Sequence, residues 1–408
     1  LRILIVTNLF PPYYLGGYEL LCGQVVAELR LRGHEVAVLT SVHGVAGIVA
    51  DPADPAEPGI HRELRLTTPF DEPSTNSRLL RSRVLGVNKA LARARMAAFK
   101  PDLVFVWSQL RITVGAVHAA RELGLPMAFT MNDEHALNFV PVPLASNTKR
   151  LAGWLSDRTV FRELHLDRLD LSHVACISAG IKERLVAGGL PVPHARVIYQ
   201  SIPLDGFPPR DDPGTLHRPA RLLFVGQLHA WKGVHVAIAA MKRLVAEGRE
   251  VVLTIAGEGG AEYTQLLRTA AAPLENLVVF KGKVPYEVLS ALYREHDMFL
   301  FPSTAVEGFG LTFLEAMASG LPVVATDGGG HGEVLRDGRN ALIFPEGDDE
   351  ALALCISRIL DDCGLRARLA RNASEEVRER FNFRRYMDEI EEFLVDAARY
   401  TRPRFRGR

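Results

Sequence analysis

The feature that most constrains this chain is an alternation that stops once and starts again. Short runs dense in Ile, Leu and Val are each followed by a loop and then by a stretch of helical periodicity. RILIVTNLF (2–10) leads into PPYYLGGYE, a helix through LLCGQVVAELRLRG, and the next strand, HEVAVLTS. Strand, loop, helix, strand predicts parallel pairing, because a parallel neighbour needs a crossover long enough to hold a helix. The pattern recurs in DLVFVWS (102–108), AVHAARELG and PMAFTMND (126–133), then in HVACIS (173–178) and AGIKERLVAGG.

The break is PLDGFPPRDDPGTLHRPA (203–220), with five Pro, two Gly and few apolar residues, a linker by composition. After it the alternation resumes with ARLLFVGQL, GVHVAIAAMKRLVAEG, VVLTIAG, NLVVFKGKV, HDMFLFPS and a helix-then-strand unit over 311–326. A chain of 408 residues exceeds one ordinary core. The expected fold class is therefore α/β, with two Rossmann-like, doubly wound parallel-sheet domains facing a cleft. The domains are predicted at 1–204 and 205–380, with a C-terminal helix and tail over 381–408.

Charge and cysteine usage exclude several classes. Forty-eight basic and 48 acidic residues balance, so no global basic character points to nucleic acid. Cys22, Cys176, Cys355 and Cys363 form no C-x-x-C pair and no zinc-type cluster with His. That density predicts a reducing compartment rather than a disulfide framework. No apolar run reaches the roughly 18–20 residues that span a bilayer. The opening LRILIVTNLF is too short and strand-like for a signal peptide, so a cytoplasmic protein is expected.

Ligands of open parallel sheets bind beyond the carboxyl ends of the strands, so motifs there carry the functional reading. EGFGLTFLEAMASGLPVVATDGGG (307–330) follows the strand HDMFLFPS. Its helix starts near Gly310, where free N–H groups and the positive end of the helix dipole favour an anion. Gly308 and Gly310 allow close backbone approach. Glu307 just before the helix and Glu315 in its second turn can accept hydrogen bonds from hydroxyls. Phosphates plus hydroxyls describe a nucleotide sugar; a helix cap with a dipole-stabilised carboxylate is the alternative. In FVGQLHAWKG (224–233), Lys232 precedes a helix and can reach a phosphate, or is a surface lysine. Gly16 and Gly17 after the first strand permit close approach of a ligand, as in many turns. TMNDEHALN (130–138) sets Asn132, Asp133, Glu134 and His135 at a strand end, as reaction-centre candidates or as a capped turn. No G-x-G-x-x-G follows a predicted strand, no phosphate-binding G-x-x-x-x-G-K-[ST] occurs, and no D-x-D occurs to hold a metal on a diphosphate.

Together these positions resemble the retaining family four of the GT-B glycosyltransferases, the E-x7-E or group 1 type, over nearly the whole chain. EGFGLTFLEAMASGLPVVATDGGGHGEVL carries the signature. VGQLHAWKG, LTIAGEGG, VVFKGKV and PPYYLGGYE…RGHEVAVLT fall in the family's order. The resemblance implies that Glu315 accepts from the nucleotide ribose and Glu307 from the transferred sugar. It implies that the N–H groups of Phe309, Gly310 and Leu311 meet the sugar or diphosphate, and that Lys232 neutralises the leaving diphosphate. Gly282, Lys283 and Val284 would lie near the base, Gly257 and Glu258 of LTIAGEGG beside the donor, and Gly16 and Gly17 at the phosphates. The C-terminal helix would cross back to the first domain. Two departures stand out. Gln227 occupies the place of an Arg that commonly partners the Lys, and Asn132-Asp133 that of a His-Asp pair, with His135 three residues on.

The implied activity is a retaining, metal-independent hexosyltransferase that needs no cofactor and uses a UDP- or GDP-linked sugar. The acceptor is a hydroxyl of a polysaccharide, a lipid-linked sugar or a small molecule. A sugar-nucleotide epimerase and a degenerate sugar-nucleotide binding protein are the competing readings. From Ser74 to Pro101 the chain has seven basic residues and no acid, so residues 78–100 form either a contact with an anionic membrane or a solvated face. Residues 146–170 are an acceptor-side helix or plain packing, and TRPRFRGR a basic tail.

Overall fold

The computed structural model describes residues 1–41, 57–70, 72, 74, 75, 77–140, 155, 156, 158–166, 169–210, 212–304 and 307–400. The basic tail and most of 141–157 lie outside them. The chain divides into two compact units, Leu1–Ile198 with Met387–Arg408, and Tyr199–Tyr386.

The first unit contains β1 (Arg2–Val6), α1 (Gly17–Leu31), β2 (Glu35–Ser41), β3 (Ile60–Leu64), α2 (Arg78–Phe99), β4 (Leu103–Val106), α3 (Gly115–Glu122), β5 (Met127–Met131), β6 (Val174–Cys176), α4 (Ala179–Ala187) and β7 (Arg196–Val197). Its sheet runs β3-β2-β1-β4-β5-β6-β7, with parallel pairing throughout. The central strands are buried along their length, which is why they read as continuous apolar runs rather than alternating ones.

Helix α2 turns Val84, Leu85, Ala92 and Met96 inward. Several of its cations are paired: Lys89 with Glu122 at 2.6 Å and Glu163 at 3.3 Å, and Arg95 with Glu63. Leu79 remains largely exposed.

The second unit holds β8 (Ala220–Val225), α5 (Val234–Ala246), β9 (Val251–Ala256), α6 (Ala261–Ala271), β10 (Val278–Gly282), α7 (Tyr286–Arg294), β11 (Met298–Phe301), α8 (Leu311–Ala318), β12 (Val323–Ala325), β13 (Leu342–Ile343), α9 (Asp349–Asp361) and α10 (Cys363–Arg380). Its strands run β10-β9-β8-β11-β12-β13, again parallel. Both orders reverse direction beside the first strand, the arrangement that leaves a crevice at the carboxyl edge.

The proline-rich stretch is not a loose tether, because its polar groups tie it to the second unit. The buried Asp297 carboxylate accepts from Arg210 at 3.1 Å, from the His217 and Arg221 N–H groups at 3.1 and 2.8 Å, and meets the His217 ring at 2.9 Å. Composition exposes the lack of apolar residues there but not these long-range partners. The last helix, α11 (Phe383–Arg399), begins in the second unit and continues in the first. There Asp388 and Glu391 meet Arg32 at 2.7 and 2.8 Å, and Glu391 meets His34 at 2.9 Å.

Candidate functional site

The carboxyl edge of the second sheet is assembled around β11. Gly310 caps α8 at φ +96°, and a Cβ there would lie 2.6 Å from the Phe301 ring, so no other residue fits. The cap uses no side chain, so the positive first turn of α8 has no side-chain acceptor of its own at the cap. Glu307 precedes it and is buried; its N–H donates to Thr304 O at 3.1 Å and its carbonyl accepts from Gly330 N at 3.0 Å.

Lys232 comes to the same place from β8. It ends a 3-10 turn, and Gly233 follows at φ +70°, where a Cβ would come within 1.9 Å of Pro302 O. This close crossing of the β8 and β11 loops brings the Lys232 ammonium onto the Glu307 carboxylate. The side chains are 14% and 9% exposed, and Nζ stands 4.4 Å above the Trp231 ring centroid. The pair is thus an almost dry ion pair flanked by aromatic faces. Separated by a ligand, it offers one cation to a phosphate and one carboxylate to hydroxyls.

Glu315 lies within α8, buried at 4% exposure. It accepts a 2.7 Å hydrogen bond from the Tyr293 hydroxyl on Oε2. Burial pushes its carboxyl up to about 7, against the Tyr293 bond, which pulls it down. The Gly-rich stretch after β12 contributes His331, fully buried and edge-on to Phe301 at 4.9 Å. Thr326 donates its hydroxyl proton to Ser303 O, so its oxygen is left to accept from His331 Nε2 at 3.0 Å. That fixes the Nε2–H tautomer and leaves Nδ1 a buried acceptor without a partner among the described residues. Burial, then the Lys232 charge, push this imidazole down to about 3.

Several of the remaining sequence-predicted positions lie at the ends of β8, β9 and β10. Gly257 has φ +154°, and its Cβ would meet Gly226 O at 1.8 Å; its N–H donates to Gly282 O at 2.8 Å. Glu258 O accepts from Leu228 N at 2.8 Å, and Gln227 Oε1 lies 3.2 Å from the His229 ring. Lys283 is exposed, with Gly282 and Val284 half-buried. Phe309 is buried against Tyr199 and Phe381, at 5.8 and 6.2 Å between ring centroids, and Tyr199 donates to Glu333 at 2.8 Å. Leu311 opens α8, and Gly308 lies between Glu307 and Phe309.

The first unit has its own polar group. Gly16 caps α1, its N–H donating to Glu19 at 3.0 Å, and Gly17 begins the helix. Tyr18 stacks on Trp107 at 5.2 Å, donates to Trp107 O and accepts from Asn132 Nδ2. Asp133 accepts from His135 N at 2.8 Å and meets the His135 ring at 2.6 Å. So Asn132 and His135 face different partners.

Sequence reasoning missed Tyr18, Tyr293 and His331. Each sits beside a motif: Tyr18 next to the Gly pair, His331 within GGGHGE, and Tyr293 five residues before β11. Adjacency was the only signal.

Comparison with known proteins identifies the family and the fold. Residues 210–376 match the family described as glycosyl transferases group 1, and residues 16–201 the glycosyl transferase 4-like domain. The chain is 27% identical over 400 residues to a glycogen synthase of Mycobacterium tuberculosis, covering 94% of this chain and 92% of that one. Sucrose-phosphate synthase of Thermosynechococcus elongatus shares the fold, with TM-score 0.73, 21% identity, and 97% and 98% of the two chains covered. HepE of Anabaena, solved with UDP-glucose, shares it too, with TM-score 0.68, 21% identity, and 97% and 99% covered.

Proposed function

This chain belongs to the group 1 glycosyltransferases of GT-B fold, which transfer sugar from nucleotide sugars, and on that premise we propose a retaining, metal-independent transfer of a hexose to an acceptor hydroxyl. The observation that carries the reading is the buried Lys232–Glu307 pair beside the Gly310-capped start of α8. A UDP-linked donor is the first choice, since HepE, of the same fold, was solved with UDP-glucose.

In this reading the donor diphosphate takes Lys232 and the N–H groups of Phe309, Gly310 and Leu311, and the sugar hydroxyls take Glu307. Glu315 takes the ribose, while Gly282, Lys283 and Val284 flank the base near Gly257 and Glu258. The bond from the anomeric carbon to the diphosphate oxygen breaks as the bond to the acceptor oxygen forms on the same face. The acceptor proton passes to the departing diphosphate. No carboxylate nucleophile is required, unlike the retaining glycosidases. Lys232 and the α8 dipole stabilise the charge that develops on the leaving group. Gln227 contributes only a neutral hydrogen-bonding group. The first unit takes the acceptor, with Asn132 and His135 as the reaction-centre candidates.

The test is a donor screen by thermal shift and by release of free nucleotide, using UDP-, GDP- and ADP-sugars. A bound donor raises the melting point by mass action, and slow donor hydrolysis identifies the sugar transferred. Absence of both with every donor overturns the reading. A changed nucleotide sugar released without acceptor would establish an epimerase instead.

A further inference from the structure

Glu315 is buried in apolar surroundings on a helix otherwise made of Leu, Thr, Phe, Ala and Met. A carboxylate there needs a hydrogen-bond donor, and α7 supplies one. Tyr293 is fully buried; its ring lies against Phe207 and Phe299, at 5.8 and 5.7 Å between centroids, which fixes the direction of its hydroxyl. That hydroxyl lies 2.7 Å from Glu315 Oε2 and 3.3 Å from Thr312 O. It has one proton to give, and the shorter contact to the carboxylate takes it.

We propose that Tyr293 is a positioning residue for the nucleotide: its hydroxyl holds Oε2 of Glu315 and turns Oε1 toward the ribose. The proposal rests on the reading that Glu315 accepts from the ribose. Without the Tyr293 hydroxyl a buried carboxylate loses its side-chain donor, and the proton then competes with the ligand for the same oxygens. Among the described residues, few charged or titratable groups stand around α8. Tyr293 and Tyr286 stand on α7, and Arg378 of α10 donates to Ala318 O at 3.3 Å, at the far end of the helix. Lys232 and Glu307, before its first turn, neutralise each other. Glu315 is therefore the group whose ionisation governs an acceptor at this position.

The consequence is a pH dependence with a definite sign. The Glu315 carboxyl is pushed up to about 7 by burial. Its ionised form accepts from ribose hydroxyls, so donor affinity rises as pH increases through 7. Removing the Tyr293 bond, which favours the ionised form, moves that rise to higher pH.

The experiment is calorimetric titration of UDP-glucose, with GDP-mannose and ADP-glucose in parallel, from pH 6 to 9. The diphosphate diester of these probes does not titrate in that range, unlike a free nucleoside diphosphate. Tyr293→Phe, which keeps the ring and its packing, is expected to bind about tenfold more weakly at pH 7 and to recover toward wild type by pH 9. Glu315→Gln is expected to bind weakly with no pH dependence. Weakening of Tyr293→Phe by the same factor at every pH would mean a merely structural role and overturn the proposal, as would wild-type affinity at pH 7. If Glu315→Gln binds every donor like wild type, the ribose reading itself fails, whatever Tyr293→Phe does.

Discussion

The carboxyl edges of the two sheets hold polar residues in opposite ways. In the second unit, Lys232 and Glu307 neutralise each other almost out of contact with water, Tyr293 holds Glu315, and Thr326 holds His331. In the first, His135 and Asp133 form their pair at 48% and 56% side-chain exposure. Burial makes each second-unit group depend on its partner, because an unpaired polar group there has no water to turn to. An exposed pair has solvent as a substitute. The second-unit array is thus one in which single changes propagate, whereas the exposed Asp133–His135 pair tolerates change.

The largest break in that contrast comes from the Lys232–Glu307 pair. Lys232→Met or Glu307→Gln alone is expected to lower kcat by about 10²–10³-fold. Lys232→Met also leaves a nearly buried carboxylate unpaired, which costs about 3 kcal/mol of stability. The double variant, Lys232→Met with Glu307→Gln, removes both charges and is expected to regain most of that stability while remaining inactive. Unfolding midpoints measured beside turnover check this. Recovery of activity in the double variant would mean that the pair serves folding alone.

His331 sharpens the comparison through pH. Its folded value is depressed to about 3, well below the ordinary 6.5. Below pH 6.5 the unfolded chain takes up a proton that the folded site refuses, so stability falls as the pH drops from about 6.5 toward 3. The slope is at most about 1.4 kcal/mol per pH unit from this one group. His331→Gln, which can still donate to Thr326, is expected to flatten that slope. Urea unfolding at pH 7 and pH 5 measures it, and an unchanged slope would show that other groups govern the acid limb.

The same contrast explains what the sequence could reveal. Parallel, fully buried strands are continuous apolar runs, so β1, β4, β8 and β11 were legible from composition alone. Glu307, Glu315 and Lys232 stood out because charges are rare beside such runs and because their spacing resembles a known signature. Their mutual contacts were not legible. Lys232 and Glu307 are 75 residues apart, and they meet only because Gly233 lets the β8 loop lie on Pro302. Tyr293 reads as one more aromatic of a helix facing the core; its 2.7 Å bond to Glu315 follows from how α7 packs against α8. For residues 78–100 the sequence displays seven cations but not the acids that Lys89 and Arg95 find on other elements.

The smallest effect belongs to His135, and its sign is opposite to that of His331. The Asp133 hydrogen bond raises the His135 imidazole above its ordinary value, against partial burial. The stabilisation is complete below pH 6.5 and is lost as the pH rises through the raised folded value. Because both side chains are about half exposed, it is worth no more than about 0.5 kcal/mol. Asp133→Asn is expected to return the His135 titration, followed by its ring proton resonances, toward 6.5 while leaving the unfolding midpoint nearly unchanged. Turnover discriminates further. If His135 acts at the reaction centre, the alkaline or acid limb of kcat moves with that titration in Asp133→Asn. If the limb stays fixed while the resonance moves, the pair is a capped turn at the end of β5, and Asn132, tied to Tyr18, is left to represent the first unit at the chemistry.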